Sequence, residues 1–456
     1  MEPIVSKAKY VYREINDLKD MLEQVTALHS ESEAFIKKAK DVYVGVSYKK
    51  YKGDVFGLGT EFLKRNIKGE KVILLSENRY EWCVTFMATV CSEGIIVPFS
   101  PDISENELVS RINNVKGKFI VFSEKYRDVV RNIRKKCPTL EYTIDMDTII
   151  DDDENLSLLR LIELGSKAIG NGETDFAKLE VNREAIAGIF YGNTIIKNKA
   201  VMLSHKNLAS EIMGIVSSVS ITENDKTSAF LSFSEVSHCV ADFLAINNQG
   251  GTIYFAEKNK NINEVLEENE PTIIFLSDEL LNRMYNNMLD FLGNMPRIRK
   301  MRLLMFISTI LIKFNIDLRK KLFKDILKTF GKNLKSIVLI SRNVKSKILK
   351  EFYNLGIETI QCYEVIEASG IVMLNNKREF MKAPAIGLPI PGLKASIMAS
   401  SNKLSGEITL KGNTVMTGYY DDRKATKKVI DENILYTGKN GVRDKSGYFY
   451  EIIVKK

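Results

Sequence analysis

The segment 191–205 contains the residue types that bind phosphate. It reads YGNTIIKNKAVMLSH and lies between an apolar, strand-like run and a helix start. Gly192, Asn193, Thr194 and Lys199 could form a turn whose backbone N–H groups surround a phosphate while the lysine supplies a point charge. A polar turn between two strands explains the same residues. Both interpretations stay open on the residues alone.

Metal and redox chemistry have little support in the sequence. The chain has three histidines and five cysteines, and no two cysteines have CxxC spacing. The acidic stretch 145–154 is explained by a solvated loop, with a metal site as the alternative. The cysteines are odd in number and widely spread along the chain, which favours a reducing compartment. We therefore expect a cytoplasmic protein. The cysteines are Cys83, Cys91, Cys137, Cys239 and Cys362.

Strands and helices alternate ahead of this segment. Residues 8–40 have apolar side chains at three- and four-residue spacing, which predicts a helix. Lys71–Leu75 and Phe119–Phe122 are short, apolar runs typical of buried parallel strands. Between them, Ser104 stands where a helix N-cap is expected. This pitch of strand and helix indicates a doubly wound α/β sheet.

A second series of alternating strands and helices runs from residue 186 to about residue 370. The pattern of apolar and polar residues changes after Pro384. Short alternating segments between glycines then predict a small antiparallel barrel. We therefore predict a first α/β lobe over 1–180, a second over 181–380 and a small β-rich lobe over 381–456.

Composition excludes several classes of protein. The 456 residues are 45% hydrophobic and 27% charged, the profile of a soluble globular chain. The N-terminus has no apolar core of signal-peptide length. The net charge of +8 is modest, and the chain has no DNA- or RNA-binding motif, so no nucleic-acid partner is expected.

One region has the composition of a membrane-surface segment. The apolar run Leu303–Ile312 is too short to span a bilayer, which takes about 20 residues. A basic, amphipathic helix follows it, with Arg319, Lys320 and Lys321 at its start. Residues 303–328 therefore predict a peripheral contact with an anionic membrane. A packed helix with a solvated basic face is the alternative.

The order of segments along the chain resembles the AMP-forming acyl-CoA synthetases of the adenylate-forming superfamily, especially long-chain fatty-acid–CoA ligases. The resemblance covers nearly the whole chain. It rests on colinear segments that include GEKVILLSENRYEW, VMLSHKNL, LSFSEVSHCVADF, QCYEVIEASG, GLPIPG, GEITLKGNTVMTGYY and TGKNGVRDKSGYFYEI. It implies the large N-terminal domain of that fold, with two doubly wound α/β lobes and a small β-barrel lobe.

The resemblance also implies a reaction in two steps. A carboxylate attacks the α-phosphate of ATP to give an acyl-adenylate and pyrophosphate, and the thiol of coenzyme A then displaces AMP. Mg²⁺ and positioned donors stabilise the phosphate charge. The family's mobile C-terminal domain, which supplies a catalytic lysine, is not expected within these 456 residues.

The phosphate loop departs from the family pattern TSGTTGxPKG. Thr194 and Lys199 match, but Gly192 and Asn193 replace a serine and a glycine. Two isoleucines, 195 and 196, replace a hydroxyl residue and a glycine. Glycine allows close approach to phosphate and positive φ, which isoleucine resists.

The remaining nucleotide motifs are also altered. In the segment that resembles the family's YGxTE, Tyr363 and Glu367 match the adenine-stacking aromatic and the Mg²⁺-binding carboxylate, but Glu364 replaces glycine and Ile366 replaces threonine. Lys439 replaces the ribose-binding aspartate and removes an acceptor.

Three further positions complete the comparison with the family. Val454 stands where a ribose-binding arginine is expected. His238 matches a family histidine near the acyl pocket, with a satisfied structural histidine as the alternative. Arg342 replaces a small residue, and two interpretations stay open: it clashes with a nucleotide, or it pairs with Glu364 or Glu367.

These substitutions favour a pseudoenzyme: a protein of the AMP-binding family that has lost acyl adenylation and acts by binding a fatty-acyl ligand, a protein or a membrane surface. On this interpretation the nucleotide site is vestigial and no cofactor is expected. The alternative is an active long-chain fatty-acid–CoA ligase that tolerates these changes or is completed in trans by a separate C-terminal domain. It would use ATP, Mg²⁺ held by Glu367, and coenzyme A.

Overall fold

The computed structural model describes residues 3–39, 42–255, 260–293, 295–340, 346–375, 385–399 and 405–452. Its strands are β1 (Ile4–Val5), β2 (Glu33–Ala39), β3 (Val42–Ser47), β4 (Lys71–Leu75), β5 (Ile95–Phe99), β6 (Phe119–Phe122), β7 (Tyr142–Asp145), β8 (Leu156–Ser157), β9 (Ile186–Tyr191), β10 (Ala200–Ser204), β11 (Lys226–Ala229), β12 (Thr252–Phe255), β13 (Ile273–Leu276), β14 (Ser336–Ile340), β15 (Glu358–Val365), β16 (Gly370–Asn375), β17 (Ala385–Pro389), β18 (Leu393–Met398), β19 (Ser405–Gly412), β20 (Gly418–Tyr419), β21 (Ile430–Asp431), β22 (Ile434–Arg443) and β23 (Phe449–Glu451).

The helices alternate with these strands over most of the chain. They are α1 (Leu18–His29), α2 (Tyr48–Lys64), α3 (Tyr80–Cys91), α4 (Glu105–Val115), α5 (Arg127–Arg134), α6 (Leu158–Gly170), α7 (Asp175–Lys178), α8 (His205–Val216), α9 (Val236–His238), α10 (Ala245–Asn248), α11 (Ile262–Asn269), α12 (Asp278–Leu292), α13 (Met295–Lys313), α14 (Arg319–Leu322), α15 (Lys324–Lys328), α16 (Ser346–Leu355) and α17 (Arg423–Val429).

An eight-stranded sheet contains the first group of strands, in the order β20-β10-β9-β5-β4-β6-β7-β8. Its central strand β4 runs parallel to both neighbours. Val72 and Leu74 pack into one apolar cluster, whereas Ile73 and Leu75 pack into another. Because the strand is covered on both faces, its sequence is continuously apolar rather than alternating, as predicted for a doubly wound sheet.

An eleven-stranded sheet joins the second group of strands to the C-terminal ones. β13, β14 and β15 run parallel, whereas β16, β17 and the C-terminal strands are antiparallel. The antiparallel texture predicted after Pro384 is therefore confirmed for the strands that the structure describes. A four-stranded sheet, β11-β12-β2-β3, completes the α/β architecture.

The sheets do not follow chain order strictly. β9 and β10, which begin the second alternating series, join the first sheet, since β9 lies parallel to β5. The limits proposed above for the three lobes stay a prediction. The helix predicted over residues 8–40 is confirmed only for Leu18–His29. It is wrong for residues 8–17, which are not helical, and for residues 33–39, which form β2 and pair with β3 and β12.

The apolar run Leu303–Ile312 lies in α13, with one side of the helix buried and the other exposed. Among the described residues, none of the helices combines the length and the apolarity needed to cross a bilayer.

Candidate functional site

The phosphate-like loop is the connection of a β-hairpin. β9 and β10 are antiparallel neighbours, with Tyr191 opposite Ala200. Inside the loop the hydroxyl of Thr194 donates to the carbonyl of Ile196 at 2.6 Å, and the N–H of Lys199 reaches the same hydroxyl at 3.5 Å. The hydroxyl of Thr194, which matches a family position, therefore bonds to the backbone of its own loop.

Glu367, the counterpart of the family's Mg²⁺ ligand, bonds to this loop. It lies in a 3₁₀ turn between β15 and β16 and is only 1% exposed. One carboxylate oxygen, Oε1, accepts the N–H of Ile195 at 2.5 Å and the hydroxyl of Tyr419 at 2.7 Å. Burial raises the pKa of Glu367, although both hydrogen bonds oppose the shift.

Two apolar substitutions bring side chains against the glycines of the site. A Cβ placed on Gly192 would lie 3.0 Å from Cδ1 of Ile366, and one placed on Gly438 would lie 3.5 Å from Cγ2 of Ile195. Both isoleucines also pack against the main apolar core. The space beside the loop backbone is thus bordered by methyl groups at the positions where the family has hydroxyls.

Glu364 has a defined partner on the side of the acyl-pocket candidate. It follows a register shift in β15 and accepts a hydrogen bond from Ser237 at 2.6 Å. A Cβ placed on Gly370 would lie 2.9 Å from Oε1 of Glu211 and 3.0 Å from the Ser237 hydroxyl. Burial, with a smaller contribution from Glu364, raises the pKa of Glu211 well above its ordinary value. Two acidic side chains, Glu211 and Glu364, therefore lie close together beside Ser237.

His238 is the residue next to this acidic pair. It ends α9 and is followed by a π-helical turn over Cys239–Leu244. Such turns often occur at functional sites. Its Nδ1 lies 3.3 Å from the carbonyl of Ser232, which is consistent with a satisfied histidine whose Nδ1 carries the proton. This contact supports the satisfied structural histidine, and the role of His238 near an acyl pocket stays a prediction.

The loop lysine turns to a protein carboxylate. Nζ of Lys199 lies 2.7 Å from Oδ2 of Asp422, whose other oxygen accepts the N–H of Ala425 and caps α17. The hydrogen bond from Lys199 lowers the pKa of Asp422.

The ribose-clamp segment is also engaged by protein groups. Lys439 lies in β22, and its Nζ is 4.0 Å from Oε1 of Glu451. The N–H of Gly438 donates to Glu407 at 2.7 Å. Tyr363, the counterpart of the stacking aromatic, is 1% exposed. Val454 and Arg342 lie outside the described residues, so the predicted pairing of Arg342 stays a prediction.

The structure thus brings two groups of predicted residues together. Gly192, Thr194, Ile366 and Glu367 meet at the hairpin, and Gly438 borders them through Ile195. Glu364 and His238 are linked through Ser237. Sequence reasoning missed the partners Tyr419, Ser237, Asp422 and Glu211. Only Asp422 has a local signal, since it stands where the N-cap of α17 is expected.

Comparison with known proteins identifies the family to which the chain belongs. The family model of the AMP-binding enzymes matches residues 22–420. Long-chain-fatty-acid–CoA ligase 5 of Rattus norvegicus is 23% identical over 435 residues, which cover 89% of this chain and 63% of the relative. A probable 4-coumarate–CoA ligase 1 of Dictyostelium discoideum is 24% identical and covers 85% of this chain and 68% of the relative. The chain therefore spans less than two thirds of the rat ligase.

Solved structures share the fold at low identity. A long-chain-fatty-acid–CoA ligase from Archaeoglobus fulgidus superposes with a TM-score of 0.78 at 18% identity, covering 100% of this chain and 87% of the other. The N-terminal domain of FACL13 from Mycobacterium tuberculosis gives a TM-score of 0.77 at 16% identity, covering 97% and 100%. The fold, the order of the motifs and the matched family model agree, and the chain belongs to the AMP-binding enzyme family, with the fold of the adenylate-forming N-terminal domain.

Proposed function

We propose that this chain is a member of the AMP-binding family that does not adenylate acyl groups and instead acts by binding. The observation on which the proposal depends is the double hydrogen bond to Glu367. Its Oε1 accepts both the Ile195 N–H and the Tyr419 hydroxyl. A Mg²⁺ ion would have to compete with these donors for that oxygen, and a phosphate would have to displace Glu367 from the Ile195 N–H.

Three further contacts support the proposal. Ile366 lies against Gly192, where a phosphate needs close approach to the backbone. Lys199 is paired with Asp422, and Glu364, which replaces the family's glycine, accepts a hydrogen bond from Ser237. Mg²⁺-ATP does not fit the described residues in this arrangement, because Oε1 of Glu367 and Nζ of Lys199 already have protein partners.

Pyrophosphate release tests the proposal against the ligase alternative. The chain is incubated with palmitate, Mg²⁺-ATP and coenzyme A, and the Archaeoglobus ligase serves as the positive control. We expect release at the level of a reaction without protein. Release above that level, with acyl-adenylate detected by mass spectrometry, would contradict the proposal, and acyl-CoA among the products would establish the ligase.

A fatty-acyl ligand is the small molecule that the proposal favours, because several of the relatives are long-chain fatty-acid–CoA ligases. Titration with a fluorescent fatty acid, followed by competition with palmitate, measures this binding without ATP. Saturable binding that palmitate displaces is expected. Signal that palmitate leaves unchanged would remove the acyl ligand from the proposal.

A further inference from the structure

α13 has one apolar side that the described residues leave exposed. Spacings of three and four residues place its large side chains along one face, over about 16 Å of helix at 1.5 Å per residue. Phe306 is 64% exposed, and Phe314, directly after the helix, is 72% exposed. The opposite face, with Met301 and Met305, is buried. The exposed residues, called here the apolar stripe, are Leu303, Phe306, Ile307, Ile310 and Phe314.

Exposed cations surround the apolar stripe. Six of them form no ion pair with any other residue that the structure describes. They lie at both ends of the stripe and on α14 and α15, which follow it. This set, called here the basic border, consists of Arg299, Lys300, Lys313, Lys320, Lys321 and Lys324.

The charge of this region exceeds that of the whole protein. Residues 297–335 contain twelve Lys and Arg and two Asp, a net charge of +10. The complete chain carries +8, so the rest of the sequence sums to −2. The excess positive charge of the protein is therefore concentrated in the segment that contains the apolar stripe.

A cavity lies beside the part of the basic border that belongs to α14 and α15. Lys320, Lys324, Lys328 and Lys332 line it, and its volume is about 260 Å³. Two of these lysines have acidic neighbours: Lys328 is 3.9 Å from Asp325, and Lys332 is 2.7 Å from Glu270.

We propose that the apolar stripe and the basic border together dock this protein on the surface of an anionic lipid bilayer. Apolar side chains would enter the headgroup region while the cations contact lipid phosphates. A second copy of the chain is a poor occupant, because two positive borders would face each other. The proposal does not depend on the state of the nucleotide site.

Vesicle flotation of the full chain tests the proposal. The vesicles are phosphatidylcholine alone or with about 30% phosphatidylserine, at low salt and at about 0.5 M NaCl. We expect flotation only with the anionic vesicles, and at least tenfold less in high salt. Equal flotation with neutral vesicles, or none with anionic ones, would overturn the proposal.

Matched variants separate the stripe from general hydrophobicity. The pair Phe306→Ser and Ile310→Ser removes two stripe residues, and the control pair Ile149→Ser and Ile150→Ser removes two exposed isoleucines elsewhere. We expect at least tenfold less flotation for the stripe pair and none of that loss for the control. Equal loss in both pairs would contradict the proposal.

A second set separates the basic border from net charge. The border variant reverses three of its charges, by Lys320→Glu, Lys321→Glu and Lys324→Glu. The control variant reverses three exposed lysines elsewhere and changes the net charge by the same amount, by Lys135→Glu, Lys167→Glu and Lys178→Glu. Only the border variant should lose anionic flotation. Sedimentation velocity without lipid provides the last check, because a dimer that the stripe pair abolishes would assign the surface to a second copy instead.

Discussion

The hairpin site and the α13 surface differ in how their functional groups are satisfied. At the hairpin, Glu367 and Lys199 are held by protein partners, and isoleucines lie against the glycines. At α13, Phe306 and six cations face outward without such partners among the described residues. In our proposals, the groups that no longer bind a nucleotide are held by protein partners, and the groups that contact lipid are exposed.

This comparison predicts that stability depends on the first region and not on the second. The largest effect is expected for Glu367→Ala, which leaves the N–H of Ile195 and the hydroxyl of Tyr419 without their acceptor. Losing the acceptor of two buried donors should lower the free energy of unfolding by about 3 kcal/mol. Urea denaturation measures the change.

Tyr419→Phe is the matched control for Glu367→Ala. It removes one donor and leaves the Ile195 bond in place, so a loss of about 1 kcal/mol is expected. If Glu367→Ala changed stability by less than about 0.5 kcal/mol, the carboxylate would not hold the loop, and the contrast between the two regions would fail.

The next effect is the dependence of the free energy of unfolding on pH. It arises at Asp242, in the π-helical turn Cys239–Leu244. Asp242 is fully buried, its Oδ1 accepts the hydroxyl of Thr227, and burial raises its pKa from 3.8 to about 8. The folded protein holds a proton that the unfolded chain releases above about pH 4, so stability should fall as pH rises from 4 to 8.

Urea midpoints between pH 5 and pH 8 measure that slope. Asp242→Asn keeps the shape without the titration and should flatten the part of the slope that Asp242 contributes. The same slope in Asp242→Asn and in the unaltered protein would show that this carboxyl does not titrate as its burial indicates.

A smaller effect is expected at the loop lysine. Asp422→Ala removes both the partner of Lys199 and the cap of α17, so it should lower the free energy of unfolding by more than the loss of the ion pair alone. Lys199→Ala removes only a half-exposed ion pair and should cost about 0.5 kcal/mol. Thermal or urea unfolding compares them, and a larger cost for Lys199→Ala would give the lysine a role beyond this pair.

The smallest effect is expected on the surface. Phe306→Ser combined with Ile310→Ser changes exposed side chains that pack on no described core, so the free energy of unfolding should change by less than about 0.5 kcal/mol. Urea unfolding of this pair, the same one used for flotation, checks the value. A loss of 2 kcal/mol or more would mean that the stripe is part of the folded core.

Local patterns predicted much of the fold. β4 was predicted because a doubly covered strand is short and continuously apolar, and Ser104 because an N-cap has a local signature. The helix prediction failed at residues 33–39, where Phe35 pairs with Val46 in β3 and with Ile253 in β12. Pairing with a strand more than 200 residues away overrides local periodicity.

The candidate site was predicted only in part for the same reason. Substitution types identified Glu367 and Glu364, because their family positions are recognisable. Their partners Tyr419 and Ser237 are 52 and 127 residues away, and nothing in the local sequence marks them. Tertiary packing decides which donor reaches a buried carboxylate.

Calorimetric titration with Mg²⁺-ATP measures whether a nucleotide can displace the protein groups around Glu367. We expect no saturable heat up to about 1 mM nucleotide. The triple variant Ile195→Ser, Ile366→Thr and Lys439→Asp, which restores family residue types, provides the matched comparison. Saturable binding of Mg²⁺-ATP by the unaltered chain, at a Kd below about 1 mM, would show that the groups around Glu367 do not exclude the nucleotide.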